Sequence, residues 1–143
     1  SIGVEILLEL LPDWEKGIYD VEEQDHSKAS YTRMLRKQDG NLDWGRSVED
    51  LDRMIRAYHD WPKVYTTWNG RRLTVIDAKP INHIVDSLPG TVVKIRIDEP
   101  NVGVSVGNGV VLLDRVQLEG SKAMSVSQFI QGRREFVGST LPS

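Results

Sequence analysis

Two hydrophobic periods divide this chain, and the change from one to the other marks its organisation. Ile2, Val4, Ile6, Leu7, Leu8, Leu10 and Leu11 stand almost consecutively, with Glu5 and Glu9 at i,i+4 spacing as the polar interruption. The pattern predicts a helix over residues 1–16 that is apolar nearly all round, closed by Gly17. A helix of that kind is normally buried against something larger. The partner is either this chain's own β domain or a neighbouring domain. Ser1 at the start, followed at once by the apolar run, favours an excised piece whose neighbour lies upstream. Residues 18–40 are polar and aperiodic and read as an extended linker.

A second helix is announced at Ser47. Its hydroxyl is a good N-cap, Asp50 stands at the third helical position, and Glu49 and Asp50 complement the helix dipole. Val48, Leu51, Ile55 and Tyr58 share a face, while Asp52, Arg53 and Arg56 lie elsewhere. Beyond Trp61-Pro62 the period becomes two. Val64–Trp68 and Arg71–Ala78 flank Asn69-Gly70, a strong hairpin signal. Further strands are expected over Gly90–Ile97, Val102–Val106 and Val110–Leu118, with turns at Glu99–Asn101 and Gly107–Gly109 and a loop over Asn82–Pro89. A last helix begins at Ser125, carries Val126, Phe129 and Ile130, and ends at Gly132. The expected fold is mainly β with flanking helices: a small OB-like β-barrel over 41–137, preceded by a helix and an extended linker and followed by a loose tail over 138–143.

Composition adds limits. The chain has 143 residues, enough for one core, and it lacks cysteine, which excludes disulfides and thiolate chemistry. No apolar run is long enough for a transmembrane helix, so no membrane partner is expected. The net charge of −3 hides an asymmetry. Residues 1–27 carry eight acids against one base, and residues 28–143 carry seventeen bases against thirteen acids, a net +4. That excess permits contact with RNA without demanding it.

Six ordered stretches resemble the C-terminal half of methionyl-tRNA formyltransferases. They are Glu5–Pro12; Gln24–Tyr31; Leu42-Asp-Trp44 with Ser47, Ile55–Ala57 and Trp61-Pro62; Asn69-Gly70 with Leu73–Val75; Pro89–Thr91 with Gly107–Gly109; and Gly120–Ser125 with Phe129 and Gly132-Arg133. One departure is the flank of Trp61-Pro62, which is Asp60 and Lys63 here. The resemblance covers nearly the whole chain and implies a C-terminal OB-like domain. Residues 1–17 would then be the last helix of a catalytic domain and 18–40 an interdomain linker. It further implies a cytoplasmic enzyme, monomeric when whole, that formylates initiator methionyl-tRNA from 10-formyltetrahydrofolate in translation initiation. Its N-terminal domain would be the partner that binds this co-substrate and supplies an Asn, a His and an Asp.

No catalytic or metal-binding residue is assigned to this piece. Asn82, His83 and Asp86 offer the same residue types, but in a polar loop between strands. The candidates are therefore RNA-binding cations: Lys28, Arg33, Arg36 and Lys37 in the linker, where they interleave with Tyr31, Met34 and Leu35, then Arg71, Arg72, Lys122, Arg133 and Arg134. Each also fits an ordinary solvated surface. Trp44, Trp61 and Trp68 suit core anchors better than base-stacking residues. The alternative is the corresponding structural domain of a related formyltransferase or hydrolase acting on a non-tRNA acceptor. A free-standing nucleic-acid module fits less well with the apolar first helix.

Overall fold

A computed structural model describes residues 2–18, 22–97 and 99–143, with backbone alone for 97, 99 and 100. Part of the expected linker, Tyr19 to Val21, lies outside the described residues. The chain divides into two compact units, Ser1–Arg33 and Met34–Ser143. In the first, α1 spans Ile2–Glu15 and contains Pro12. Leu7, Leu8 and Trp14 find no core within this unit and are exposed. A single 3-10 turn follows at His26–Lys28, capped by Asp25, whose carboxylate accepts from the Ser27 amide at 3.0 Å.

The second unit holds the core. Helix α2 spans Val48–Ala57, and the Asp50 amide donates to the Ser47 hydroxyl at 3.2 Å, the cap that the sequence announces. Val48, Leu51 and Ile55 face the interior, at the helical spacing read from the sequence. Among the described residues six strands follow: β1 Val64–Trp68, β2 Arg71–Ile81, β3 Val92–Ile97, β4 Glu99–Val106, β5 Gly109–Leu118 and β6 Met124–Ser125. Asn69 and Gly70 both take positive φ, 50° and 69°, which the tight β1–β2 turn requires. Glu99, Pro100 and Asn101, expected as a turn, instead belong to β4, registered against Ile97, Arg96 and Ile95. Helix α3, Val126–Gln131, begins with a capping box in which Ser125 and Gln128 bond each other's amides.

All strands are antiparallel, in the order β1-β2-β5-β4-β3, with β6 paired to β5. The fold is thus mainly β with flanking helices, as expected. Among the described residues no ladder joins β1 to β3, so the sheet does not close on itself through strand pairing. One face packs Leu73, Val75, Val104, Val111, Val116 and Leu118 onto α2 and α3. Trp68, Phe129 and Phe136 meet edge to face, with centroids 5.1–5.6 Å apart, and lock α3 and the turn after it against β1.

Two boundaries differ from expectation. The tail over 138–143 is not loose. Gly138 donates to the Val92 carbonyl, Val92 to Ser139 and Leu141 to Gly90, at 2.8–2.9 Å, and Leu141 is buried. Farther on, Ser143 donates to Thr67 and accepts from Gly70, both at 2.9 Å. The tail therefore runs from β3 to the β1–β2 hairpin and satisfies backbone groups at both edges of the sheet, which would otherwise invite association. Its apolar content is one leucine, so composition could not announce this. The expected linker also ends early, because residues 34–40 belong to the compact unit. Gly40 lies so close to Lys63 that an added Cβ would collide with the Lys63 carbonyl, and the Leu42 amide donates to Tyr65 at 2.8 Å.

Candidate nucleic-acid interface

The basic candidates fall into three places. Lys28 and Arg33 belong to the first unit. Lys28 is paired locally with Asp25 at 3.2 Å, and both side chains are exposed. The Ser27 hydroxyl, then Lys28, holds the Asp25 carboxyl below its ordinary value. A pair so exposed contributes little to stability.

The second place is the β1–β2 hairpin and the chain beside it. Arg36 and Lys37 begin the turn Lys37–Gly40, held by the Arg36 amide donating to Asp39 at 2.7 Å. Asn41 then pairs in parallel with Tyr65, which carries this segment along the outer edge of β1. Arg71 donates to the Glu119 carbonyl. The Arg72 guanidinium lies 3.7 Å from the centre of the Tyr65 ring, a cation–π stack on the solvent face. The Glu119 amide donates to the Arg72 carbonyl at 2.8 Å, so the β5–β6 turn that carries Lys122 sits beside the hairpin. Lys122 itself is exposed.

The third place is α3 and the turn that follows it. Arg133 stacks on Phe129 at 4.7 Å, and Arg134 is exposed. Arg134 lines a cleft of about 580 Å³ with Lys94, Ser127 and Gln131 over an apolar floor of Val102, Ile130 and Val137. Because Trp68 packs on Phe129 and Phe136, the hairpin that carries Arg71 and Arg72 and the helix followed by Arg133 share one end of the sheet, whereas Arg36 and Lys37 lie toward the other end of β1, where Gly40 packs on Lys63. The structure thus gathers residues that are far apart in sequence.

The remaining residues singled out in the sequence resolve differently. Trp44 and Trp68 are core residues, and Trp44 Nε1 donates to the buried Thr66 hydroxyl at 3.2 Å. Trp61 is half exposed. Arg53 and Arg56 are paired with Asp50 at 2.6 Å and Asp52 at 3.0 Å on α2. His83 and Asp86 are exposed in the irregular stretch between β2 and β3. Sequence reasoning passed over Lys63, Tyr65, Lys94 and Arg115, which stand beside the candidates; only strand register, read from the alternation of buried residues, would have paired them.

Among the described residues no group of three or more His, Asp or Glu is placed to hold a metal. No helix among them is long and apolar enough to cross a membrane. The second unit is thus a small antiparallel domain with flanking helices and basic side chains on its surface. The chain belongs to the family described as the formyl transferase C-terminal domain, whose model matches residues 34–134. It is 36% identical over 131 residues to a methionyl-tRNA formyltransferase of Chloroflexus aurantiacus, covering 92% of this chain and 42% of that protein. To the methionyl-tRNA formyltransferase of a Sulfurihydrogenibium species it is 32% identical over 130 residues, covering 91% and 42%. The chain thus spans about 42% of the length of these curated relatives. Among solved structures it is similar to a HypX variant from Aquifex aeolicus, with TM-score 0.61 and 18% identity over 94% of this chain and 24% of that one. HypX in complex with tetrahydrofolic acid gives 0.58 at 19% identity, over 93% and 23%. These structural likenesses speak to the fold alone.

Proposed function

We propose that this chain is the C-terminal domain of a methionyl-tRNA formyltransferase and helps to hold initiator methionyl-tRNA while an N-terminal domain formylates it. The observation that carries this reading is the 36% identity to a methionyl-tRNA formyltransferase across 92% of the chain. On this reading residues 1–17 complete the catalytic domain, and that domain binds 10-formyltetrahydrofolate and supplies the reacting groups. The chain alone is inactive in formyl transfer. The whole enzyme works as a monomer in the cytoplasm, at translation initiation.

The physical role is remote binding. A small enzyme acting at one end of a large RNA gains register from phosphate contacts far from the reacting amine, and that binding energy can be used in the transition state. Arg36, Lys37, Arg71, Arg72, Lys122, Arg133 and Arg134 are the cations assigned to this task on the second unit. Lys28 and Arg33 extend it along the linker. Filter binding of initiator tRNA to the folded chain at two salt concentrations tests the reading. Binding that weakens steeply with salt supports it. No binding at low salt overturns autonomous RNA contact and favours a structural domain serving another acceptor. A formylation assay on the chain alone should read zero, and turnover would overturn the assignment of the chemistry to the other domain.

A further inference from the structure

The outward face of β1, β2 and β5 carries a pattern that phosphate binding alone does not use. Strand register sets Tyr65 opposite Thr74, Thr67 opposite Arg72, and Thr74 opposite Gln117. Alternation adds Arg115, because Val116 and Leu118 point inward. The outward positions thus include Tyr65, Thr67, Arg72, Thr74, Arg115 and Gln117. Two carboxylates border these positions: Glu119, which accepts from the Arg72 amide at 3.3 Å, and Asp77, opposite Arg115. Lys63, exposed, precedes β1, and the segment bearing Lys37 runs beside it.

At the centre the Arg72 guanidinium lies over the Tyr65 ring at 3.7 Å, and both side chains are half-buried. A guanidinium held flat by an aromatic ring presents a second planar face to solvent, and such planes stack nucleobases in single-stranded RNA. Thr67, Thr74 and Gln117 surround it with hydroxyl and amide groups suited to base edges and ribose 2′-hydroxyls. Lys63 and Arg115 flank it with charge for the adjoining phosphates. A duplex offers its grooves and phosphates but buries its base faces, so the stack is of use only to an unpaired nucleotide. We infer that the Tyr65–Arg72 stack is a platform for one unpaired nucleobase of the bound RNA. The inference rests on the RNA-contacting reading above and adds the class of nucleotide and the residues that receive it.

The test uses the full chain and two hairpin RNAs, one blunt and one with an unpaired tail carrying 2-aminopurine. The tailed RNA should bind on the order of tenfold tighter than the blunt one, and 2-aminopurine emission should be quenched on binding. Arg72→Lys keeps the charge and loses the plane. It should abolish the preference for the tail, so that the tailed and blunt RNAs bind with equal affinity. Tyr65→Ala should do the same, and Tyr65→Phe should retain the preference; if Tyr65→Ala fails to fold, Arg72→Lys decides alone. Equal affinity for both RNAs in the parent chain, or a preference that survives Arg72→Lys, overturns the platform and leaves RNA binding standing. Failure of the folded chain to bind either RNA overturns the reading beneath it, and the platform with it.

Discussion

Asn108, at the tip of the β4–β5 turn, caps a helix sixty residues away in sequence: its side-chain oxygen accepts from the Val48 amide at 2.7 Å. Its amide nitrogen donates to Glu49 at 3.0 Å. One side chain therefore satisfies a first-turn donor of α2 that the helix cannot pair internally and orients the acid beside it. Asn108→Ala should cost about 1–2 kcal/mol of unfolding free energy, as loss of a cap does, measured by urea denaturation. Asn108→Asp keeps the acceptor but sets a carboxylate against Glu49. It should recover part of the loss, and more of it at low pH.

The same contact gives a pH dependence. The Asn108 amide is the main reason that the Glu49 carboxyl sits below its ordinary value. The bond from Arg53, then that from Ser47, does the same for Asp50. Folding thus favours the ionised form of both. Their stabilisation is fully present above the unfolded carboxylate range, near 4, and is lost as pH falls through the lower folded values. Stability should decline on acidification below about pH 4, and carboxyl NMR titration of Asn108→Ala should show Glu49 moved back upward. An unchanged Glu49 titration would remove Asn108 as the cause.

How far the sequence speaks can be judged at α2. Ser47, Asp50 and the spacing of Val48, Leu51 and Ile55 announce the helix and its buried face, because cap and periodicity are local. Asn69-Gly70 announces the hairpin for the same reason. Nothing local announces that Asn108 supplies a second cap, since Gly107–Gly109 reads as a turn and no more. Nor does any local signal tell that Gly40 packs on Lys63 or that Tyr65 lies beneath Arg72. The basic candidates are legible as residue types. That Arg71, Arg72 and Arg133 come near one another is a product of register and of the Trp68–Phe129–Phe136 contacts.

The tail provides a stability test. Leu141 fills the core from a segment whose backbone bonds reach β3 and the β1–β2 hairpin. Leu141→Ala should cost about 2–4 kcal/mol, the range for an apolar truncation that leaves a cavity. Deleting residues 138–143 should cost more, because Val92 and Thr67 lose their backbone partners at the sheet edges. The shortened chain should also self-associate in analytical ultracentrifugation, through the bared edges. A monomeric truncated chain with unaltered stability would show that the tail is dispensable.

Charge removal separates cations free to meet phosphate from those already engaged. Arg53 and Arg56 are paired with Asp50 and Asp52 on α2, whereas Arg36 and Lys37 enter a turn beside β1 with exposed side chains. If Arg36 and Lys37 each neutralise one phosphate, replacing both with Gln releases two fewer counterions on binding. The slope of log affinity for initiator tRNA against log salt should then become shallower by roughly 1.4–1.8, with weaker binding at low salt. Arg53→Gln with Arg56→Gln removes the same formal charge and should leave the slope nearly unchanged, since those guanidinium groups are met by carboxylates in the free protein. Equal changes in the two double variants would mean that only net charge matters, and the assignment of Arg36 and Lys37 would fall.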